Sequence, residues 1–176
     1  MENIKSVLVH GATGAIGSAA IQLLRHLNID TDATCREEHI PLIQALGVRK
    51  VFDYQKEDFT LSSKKYDLIF DSVEKSSYWH CRKVMNPKGI YISSELGDRG
   101  ENPFLALWGF LGLGRRVVFP LPTKILRSLK FVEKLLASGE FRPLIDKTLK
   151  LENIREAFQY VRKGQKVGNV VLNLES

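Results

Sequence analysis

VLVHGATGAIGSAAIQLLRHL, residues 7–27, is the stretch that decides the fold of this chain. A short apolar run leads into Gly11, Gly14 and Gly17, and apolar residues at helical spacing follow. The pattern predicts a strand, a glycine-rich loop and a helix, and the free N–H groups at such a helix start attract an anion. The G-x-x-G-x-x-G spacing differs from the commonest dinucleotide fingerprint. The stretch therefore predicts either a pyrophosphate site or a plain tight turn between strand and helix.

The composition is typical of one globular α/β domain, with 176 residues that are 44% hydrophobic and 26% charged. Cys35 and Cys81 are the only cysteines, which indicates a reducing compartment without a disulfide framework. The longest apolar run, residues 104–113, is far shorter than the ~20 residues that span a bilayer, and the first residues show no signal-peptide pattern. We therefore expect a cytoplasmic protein without a membrane partner.

The positive charge is concentrated in the last third of the chain. Residues 1–114 contain 13 Lys and Arg against 14 Asp and Glu, whereas residues 115–176 contain 13 against 6. These cations are dispersed among apolar helix positions and lack interleaved aromatic residues, so the pattern favours a solvated basic face over a nucleic-acid site.

Six short apolar runs predict the strands of one sheet, and helical patterns separate most of them. The predicted strands are residues 7–9, 28–35, 50–54, 66–71, 90–94 and 116–121. Beyond the first helix, the predicted helices are residues 37–46, 76–85, 126–137 and 151–161, with a turn at residues 86–89. Strands that alternate with helices form right-handed crossovers. We therefore predict an α/β fold with a doubly wound parallel six-stranded sheet in the order 3-2-1-4-5-6 and helices on both faces.

The end of the second strand is where such folds select their cofactor. NAD-dependent enzymes place Asp or Glu there for the ribose hydroxyls, whereas NADP-dependent enzymes supply a cation. Here the strand ends at Cys35 and Arg36 follows, so Arg36 is either a partner of a 2′-phosphate or a solvated side chain. If the strand instead ended earlier, Asp32 would be the ribose acceptor and the cofactor would be NAD.

Several segments together carry a family resemblance that extends over essentially the whole chain. They are VLVHGATGAIGSAAIQL, ALGVRKVFDYQKEDF, YDLIFDSV, NPKGIYIS and GQKVGNVVLNL. The chain resembles the Rossmann-type cofactor half of a medium-chain dehydrogenase/reductase, from the zinc-lacking, quinone-oxidoreductase-like branch. The resemblance implies an NADPH-dependent reductase that passes hydride to a quinone, enone or activated carbonyl.

The resemblance also implies roles for individual residues, although each position has a core or turn interpretation as well. The pyrophosphate loop would comprise Gly11, Thr13, Gly14, Ala15, Ile16 and Gly17. The adenosine end would be bordered by Arg36 and Tyr54, and the crevice by Asp71, Ser72, Val73, Ser93 and Ser94. Phe119 and Leu121 would lie toward the nicotinamide, and the turn of Lys166, Gly168 and Asn169 near the phosphates.

One departure from the family concerns the substrate-binding domain that precedes the cofactor domain in its members. The first predicted Rossmann strand lies directly after the start of this sequence, so we expect one NAD(P)-binding domain over residues 1–176 and catalytic residues outside it. The sequence is then either a fragment or a natural short product. His10, His26, His39 and His80 show no metal-ligand spacing with the two cysteines, and His80-Cys81 is expected on a helix surface.

Two other functions compete with the reductase interpretation, namely a short-chain dehydrogenase and a non-catalytic binding module. A short-chain dehydrogenase needs Tyr-x-x-x-Lys, and none of the five tyrosines has lysine four residues later. The alternative of a non-catalytic NADPH-binding module, which contacts a partner through residues 104–113, stays open.

The apolar patch beside the sixth strand further predicts a homodimer to which Trp108 and Phe110 contribute.

Overall fold

The computed structural model describes residues 4–73, 75–93, 116–118 and 124–174. The strands of these residues are β1 (Ser6–His10), β2 (Asp30–Cys35), β3 (Lys50–Asp53), β4 (Tyr66–Asp71), β5 (Met85–Ser93), β6 (Arg116–Val118), β7 (Ile145–Lys150) and β8 (Asn169–Asn173). The α-helices are α1 (Ala15–His26), α2 (Ile40–Ala45), α3 (Tyr78–Cys81), α4 (Ile125–Ala137) and α5 (Ile154–Arg162). Four 3₁₀ turns cover Glu37–His39, Phe59–Leu61, Arg82–Val84 and Leu151–Asn153. No helix within the described ranges is both long and apolar enough to cross a bilayer.

The main sheet has six parallel strands in the order β3-β2-β1-β4-β5-β6, which confirms the predicted topology. A second sheet pairs β7 with β8 in parallel, with α5 in the connection between them. This pair of strands is not among the strands predicted from the sequence. Because the carboxyl ends of parallel strands meet at one edge, the loops after β1 to β4 converge on one crevice.

Both faces of the main sheet are covered, which explains why its central strand is apolar without alternation. Val7 and Val9 pack into a cluster with Ile21 of α1 on one face. Leu8, whose side chain points the other way, packs into a second cluster with Phe59. His10 follows Leu8 by two residues, so its side chain lies on the Phe59 face at the carboxyl edge of the sheet.

Asp32 is a fully buried carboxylate in the middle of β2. Its Oδ2 accepts hydrogen bonds from Lys64 Nζ at 2.9 Å, the Tyr66 hydroxyl at 2.9 Å and Arg49 Nη2 at 3.2 Å. These partners compensate the cost of burying its charge. Since β2 continues to Cys35, Asp32 lies three residues before the carboxyl edge. The strand therefore does not end early, which is the condition for the alternative in which Asp32 contacts the ribose.

Some element boundaries differ from the predictions for local physical reasons. The predicted helix over residues 37–46 begins as a 3₁₀ turn, and α2 starts only at Ile40, which is followed directly by a proline. The predicted helix over residues 76–85 ends early because Met85 already pairs with Tyr66 in the sheet. The predicted turn at residues 86–89 lies inside β5, where a register shift against β4 accommodates the proline and glycine.

Other predictions concern parts of the chain outside the described residues. These are the apolar run at residues 104–113 with Trp108 and Phe110, together with Ser94, Phe119 and Leu121. The sixth strand is present over Arg116–Val118, where it pairs with β5. The homodimer therefore stays a prediction.

Candidate functional site

The glycine loop between β1 and α1 is built on two positions that only glycine fits. Gly11 has φ +86°, a conformation that side chains disfavour. A Cβ on Gly17 would lie 2.2 Å from the Gly11 carbonyl oxygen. The helix can therefore begin directly against the loop only because both residues lack a side chain.

Gly14, the N-cap of α1, differs from Gly11 and Gly17 because neither its backbone conformation nor its surroundings exclude a side chain. Its φ is −69°, and a Cβ would make only an ordinary contact at 3.5 Å with the Gly11 carbonyl oxygen. No side chain caps α1, and its first turn contains no acidic residue. The first N–H groups of a helix have no intrahelical acceptor, so this start offers donors and positive potential to an anion that approaches over Gly14.

Side chains and backbone from three other segments fix the loop in place. Ser72 Oγ donates to the carbonyl oxygens of His10 at 2.9 Å and Gly11 at 3.2 Å. The Gly11 amide donates to Thr34 Oγ1 at 3.2 Å, and the Gly168 amide donates to the carbonyl of Thr13 at 2.7 Å. The loop is thus pre-organised.

A crevice of about 680 Å³ opens at the carboxyl edge of the sheet, beside the loop. It brings together five of the predicted site residues, which are Gly11, Thr13, Arg36, Tyr54 and Val73. Twelve further lining residues are not among those predicted from the sequence; they are His10, Thr34, Cys35, Gln55, Lys56, Glu57, Asp58, Phe59, Lys75, Ser76, His80 and Gly164. Most of the missed residues follow β3 or β4, so the rule that carboxyl ends of parallel strands meet at one edge could have found them.

Two cationic side chains, Arg36 and Lys56, lie just after the ends of β2 and β3. Arg36 Nε donates to the Tyr54 hydroxyl at 2.9 Å, and this hydrogen bond raises the pKa of Arg36. Lys56 Nζ pairs with Glu37 at 2.5 Å, a hydrogen bond that raises the pKa of Lys56. This end of the crevice therefore contains two cations that are each already close to a carboxylate, Lys56 to Glu37 and Arg36 Nη1 to Glu38 at 3.9 Å.

The other predicted residues that the structure describes do not line this crevice, and Ala15 and Asn169 line a separate cavity of about 210 Å³ beside α1. Asp71 is buried, and its carboxylate accepts from the Tyr91 hydroxyl at 3.0 Å and the Val73 amide at 3.1 Å, so it shapes the loop after β4. Ser93 is buried at the end of β5. The Asn169 side chain donates to the Leu144 carbonyl at 3.0 Å, and Lys166 donates to the Gly168 carbonyl at 2.6 Å.

Both cysteines, Cys35 and Cys81, are free thiols at buried positions. Cys81 is fully buried, which corrects the expectation of a surface position for this residue, whereas His80 is exposed as predicted. Burial raises the pKa of Cys81 to about 12. Burial also raises the pKa of Cys35 to about 11. Within the described ranges, no group of three or more His, Cys, Asp or Glu side chains is placed to hold a metal ion.

A comparison with protein families identifies the chain. A family model described as zinc-binding dehydrogenase matches residues 46–172. The chain belongs to this family. It forms the Rossmann-type half of a medium-chain dehydrogenase/reductase, as the sequence resemblance predicted, and membership supports a nicotinamide dinucleotide as its ligand. The assignment to a zinc-lacking branch stays a prediction.

Individual relatives are reductases and are about twice as long. The chain is 25% identical over 187 residues to the trans-enoyl reductase pgmF of Aspergillus terreus, covering 97% of the chain and 52% of that protein. It is 28% identical over 173 residues to the 2-methylene-furan-3-one reductase of Solanum lycopersicum, covering 96% and 40%. The chain thus spans about half the length of the relatives it matches.

A solved structure gives the same fold. The quinone oxidoreductase from Coxiella burnetii superposes with a TM-score of 0.84 at 22% identity, covering 97% of this chain and 53% of that one. At this identity the likeness supports the architecture alone.

Proposed function

We propose that this chain binds NADPH and supplies the cofactor half of a reductase that acts on a quinone, an enone or another activated carbonyl compound. The observation that carries the proposal is the single crevice that joins the glycine loop to Arg36, Tyr54 and Lys56. One end of this crevice suits a pyrophosphate, and the other end suits a phosphate on the adenosine ribose.

The residues of the chain fit this cofactor on structural grounds. Gly14 leaves open space that a Cβ would fill, and the backbone amides of Ala15 and Ile16 at the start of α1 would hold the pyrophosphate. Arg36 and Lys56 would hold the 2′-phosphate. No carboxylate occupies the end of β2, where an NAD-specific site would place one.

When bound, NADPH would supply a hydride. The role of this chain would be to hold the cofactor and to orient its nicotinamide ring. Ser72 and Thr34 keep the glycine loop rigid through their hydrogen bonds to the loop backbone. Phe59 and Val73 supply apolar surface along the crevice. Such pre-organisation lowers the entropic cost of holding the cofactor in one geometry.

The substrate class rests on the relatives, whose names describe enoyl, furanone and alkenal/one reduction. Hydride transfer needs both reactants within about 3–3.5 Å of each other. We propose that a separate substrate-binding domain supplies the second reactant, that no zinc ion takes part, and that these 176 residues alone bind NADPH without turning over substrate.

Replacing Arg36 by alanine is expected to weaken NADPH binding by roughly 10- to 100-fold, because a charge-assisted contact to phosphate is lost. NADH binding should change little, since NADH lacks the 2′-phosphate. Calorimetric titration of both cofactors against wild type and R36A measures the preference. Arg155, an exposed arginine on α5 that does not line the crevice, offers the matched control R155A.

The NADP preference would be contradicted by wild-type protein that binds NADH as tightly as NADPH. An R36A variant with unchanged affinity for NADPH would remove Arg36 from the site.

A further inference from the structure

Two carboxylates, Glu37 and Glu38, follow Arg36 directly in the sequence and lie beside the cations of the proposed 2′-phosphate site. They begin the 3₁₀ turn that follows β2. Glu37 Oε2 accepts a hydrogen bond from Lys56 Nζ at 2.5 Å. Glu38 Oε1 lies 3.9 Å from Arg36 Nη1. A phosphate on the adenosine ribose would therefore meet cations that already have carboxylate neighbours.

Arg36 is only loosely engaged by its carboxylate neighbour. Its Nε donates to the neutral Tyr54 hydroxyl at 2.9 Å. Glu38 has a closer contact with His39 Nε2, at 3.2 Å, than with Arg36. Because a guanidinium has five N–H donors, Arg36 can bind a phosphate without giving up its hydrogen bond to Tyr54.

Lys56, in contrast, has a carboxylate as its direct hydrogen-bond partner. The side chains of Lys56 and Glu37 are 63% and 66% exposed, so solvent screens the pair and its separation costs little stability. A phosphate that contacts Lys56 has to displace the Glu37 carboxylate or lie beside its negative charge. Both arrangements oppose the phosphate, because like charges repel and the ammonium group is a single compact charge.

NADH does not meet this opposition, since its adenosine ribose has an uncharged 2′-hydroxyl in place of the phosphate. The hydrogen bond between Lys56 and Glu37 can stay intact when NADH binds. The Glu37 carboxylate therefore acts on the affinity for one cofactor and not on the affinity for the other.

We propose that Glu37 is a specificity-determining residue that opposes the 2′-phosphate at Lys56 and thereby limits the preference for NADPH over NADH. This inference rests on the proposed NADPH binding. Arg36 provides the preference for the phosphorylated cofactor, and Glu37 sets how large that preference becomes.

The test is a titration of NADPH and NADH against wild type and E37Q at low salt. Glutamine has nearly the shape of glutamate but no charge. We expect E37Q to bind NADPH roughly 2- to 5-fold more tightly, and its affinity for NADH to change by less than about 1.5-fold. E133Q removes the same charge at an exposed position of α4 that does not line the crevice, so it should change neither affinity.

Two further readouts separate this role from a structural role of Glu37 in the turn. Raising the salt concentration from about 20 mM to about 0.5 M screens exposed charges, so the gain of E37Q in NADPH affinity should shrink toward none. In a K56M background the same substitution should gain less than in wild type. A structural effect on the turn would act on both cofactors and would not depend on salt.

An E37Q variant that binds NADPH no more tightly than wild type, or that gains equally for both cofactors, would overturn the role of Glu37 and leave the proposed function intact. So would a gain that persists in full at high salt or in the K56M background. A wild-type chain that binds neither cofactor would overturn the proposed function together with this inference.

Discussion

Alanine at position 17 is expected to disrupt the fold, whereas alanine at position 14 should leave the fold intact and remove most of the cofactor binding. The Cβ of G17A would lie 2.2 Å from the carbonyl oxygen of Gly11, which is backbone and cannot rotate away. The start of α1 would have to move off the loop. Overpacking of this kind costs about 3 kcal/mol of stability or more.

G14A differs because the new methyl group meets only the Gly11 carbonyl at 3.5 Å, an ordinary contact. The methyl group instead occupies the space through which a pyrophosphate would approach the amides of α1. We expect urea unfolding of G14A within about 1 kcal/mol of wild type and NADPH affinity reduced by at least ~10-fold. Unfolding curves and NADPH titrations of both variants check this pair. A G14A protein that binds NADPH as wild type does would place the ligand elsewhere.

Replacing Lys64 by methionine is expected to destabilise the chain substantially, because it removes a partner of the buried Asp32 carboxylate. Lys64 Nζ lies 2.9 Å from Asp32 Oδ2 and 2.9 Å from Asp30 Oδ2. Breaking a fully buried ion pair costs about 3–5 kcal/mol. Because the Lys64 side chain is 22% exposed and Arg49 with Tyr66 still contacts Asp32, we expect roughly 2 kcal/mol here.

Lys65 offers a matched control next to Lys64 in the sequence. Among the described residues, its ammonium group donates a hydrogen bond to the carbonyl of Lys83, and this contact is exposed to solvent. K65M should therefore change the free energy of unfolding by less than about 0.5 kcal/mol. Urea denaturation of the two variants measures the difference, and equal midpoints would show that the Asp32 cluster contributes little to stability.

The strand order could be predicted from the sequence because local pattern and topology agree. Strand β4 was predicted with its observed bounds, and the glycine loop marks the connection from β1 to α1. The environment of Asp32 could not be predicted in the same way. Its partners Arg49, Lys64 and Tyr66 are 17, 32 and 34 residues away along the chain, so no local pattern shows that the charge is compensated.

The candidate site was predictable where it depends on a strand end and not where it depends on side-chain packing. Arg36 and Tyr54 were predicted as neighbours in the site, and their side chains are hydrogen bonded. The environment of His10 arises only when the 3₁₀ turn Phe59–Leu61 folds over the sheet. The sequence around His10 is a histidine after a valine-rich strand, and this pattern does not predict that the Phe59 ring packs against the imidazole.

The measurement that tests the central claim most directly is a crystal structure of the 176-residue chain with NADPH. We predict pyrophosphate oxygens within hydrogen-bond distance of the amides of Ala15 and Ile16, and the 2′-phosphate beside Arg36 and Lys56. A nucleotide bound outside the crevice, or a 2′-phosphate that faces away from Arg36, would contradict the account.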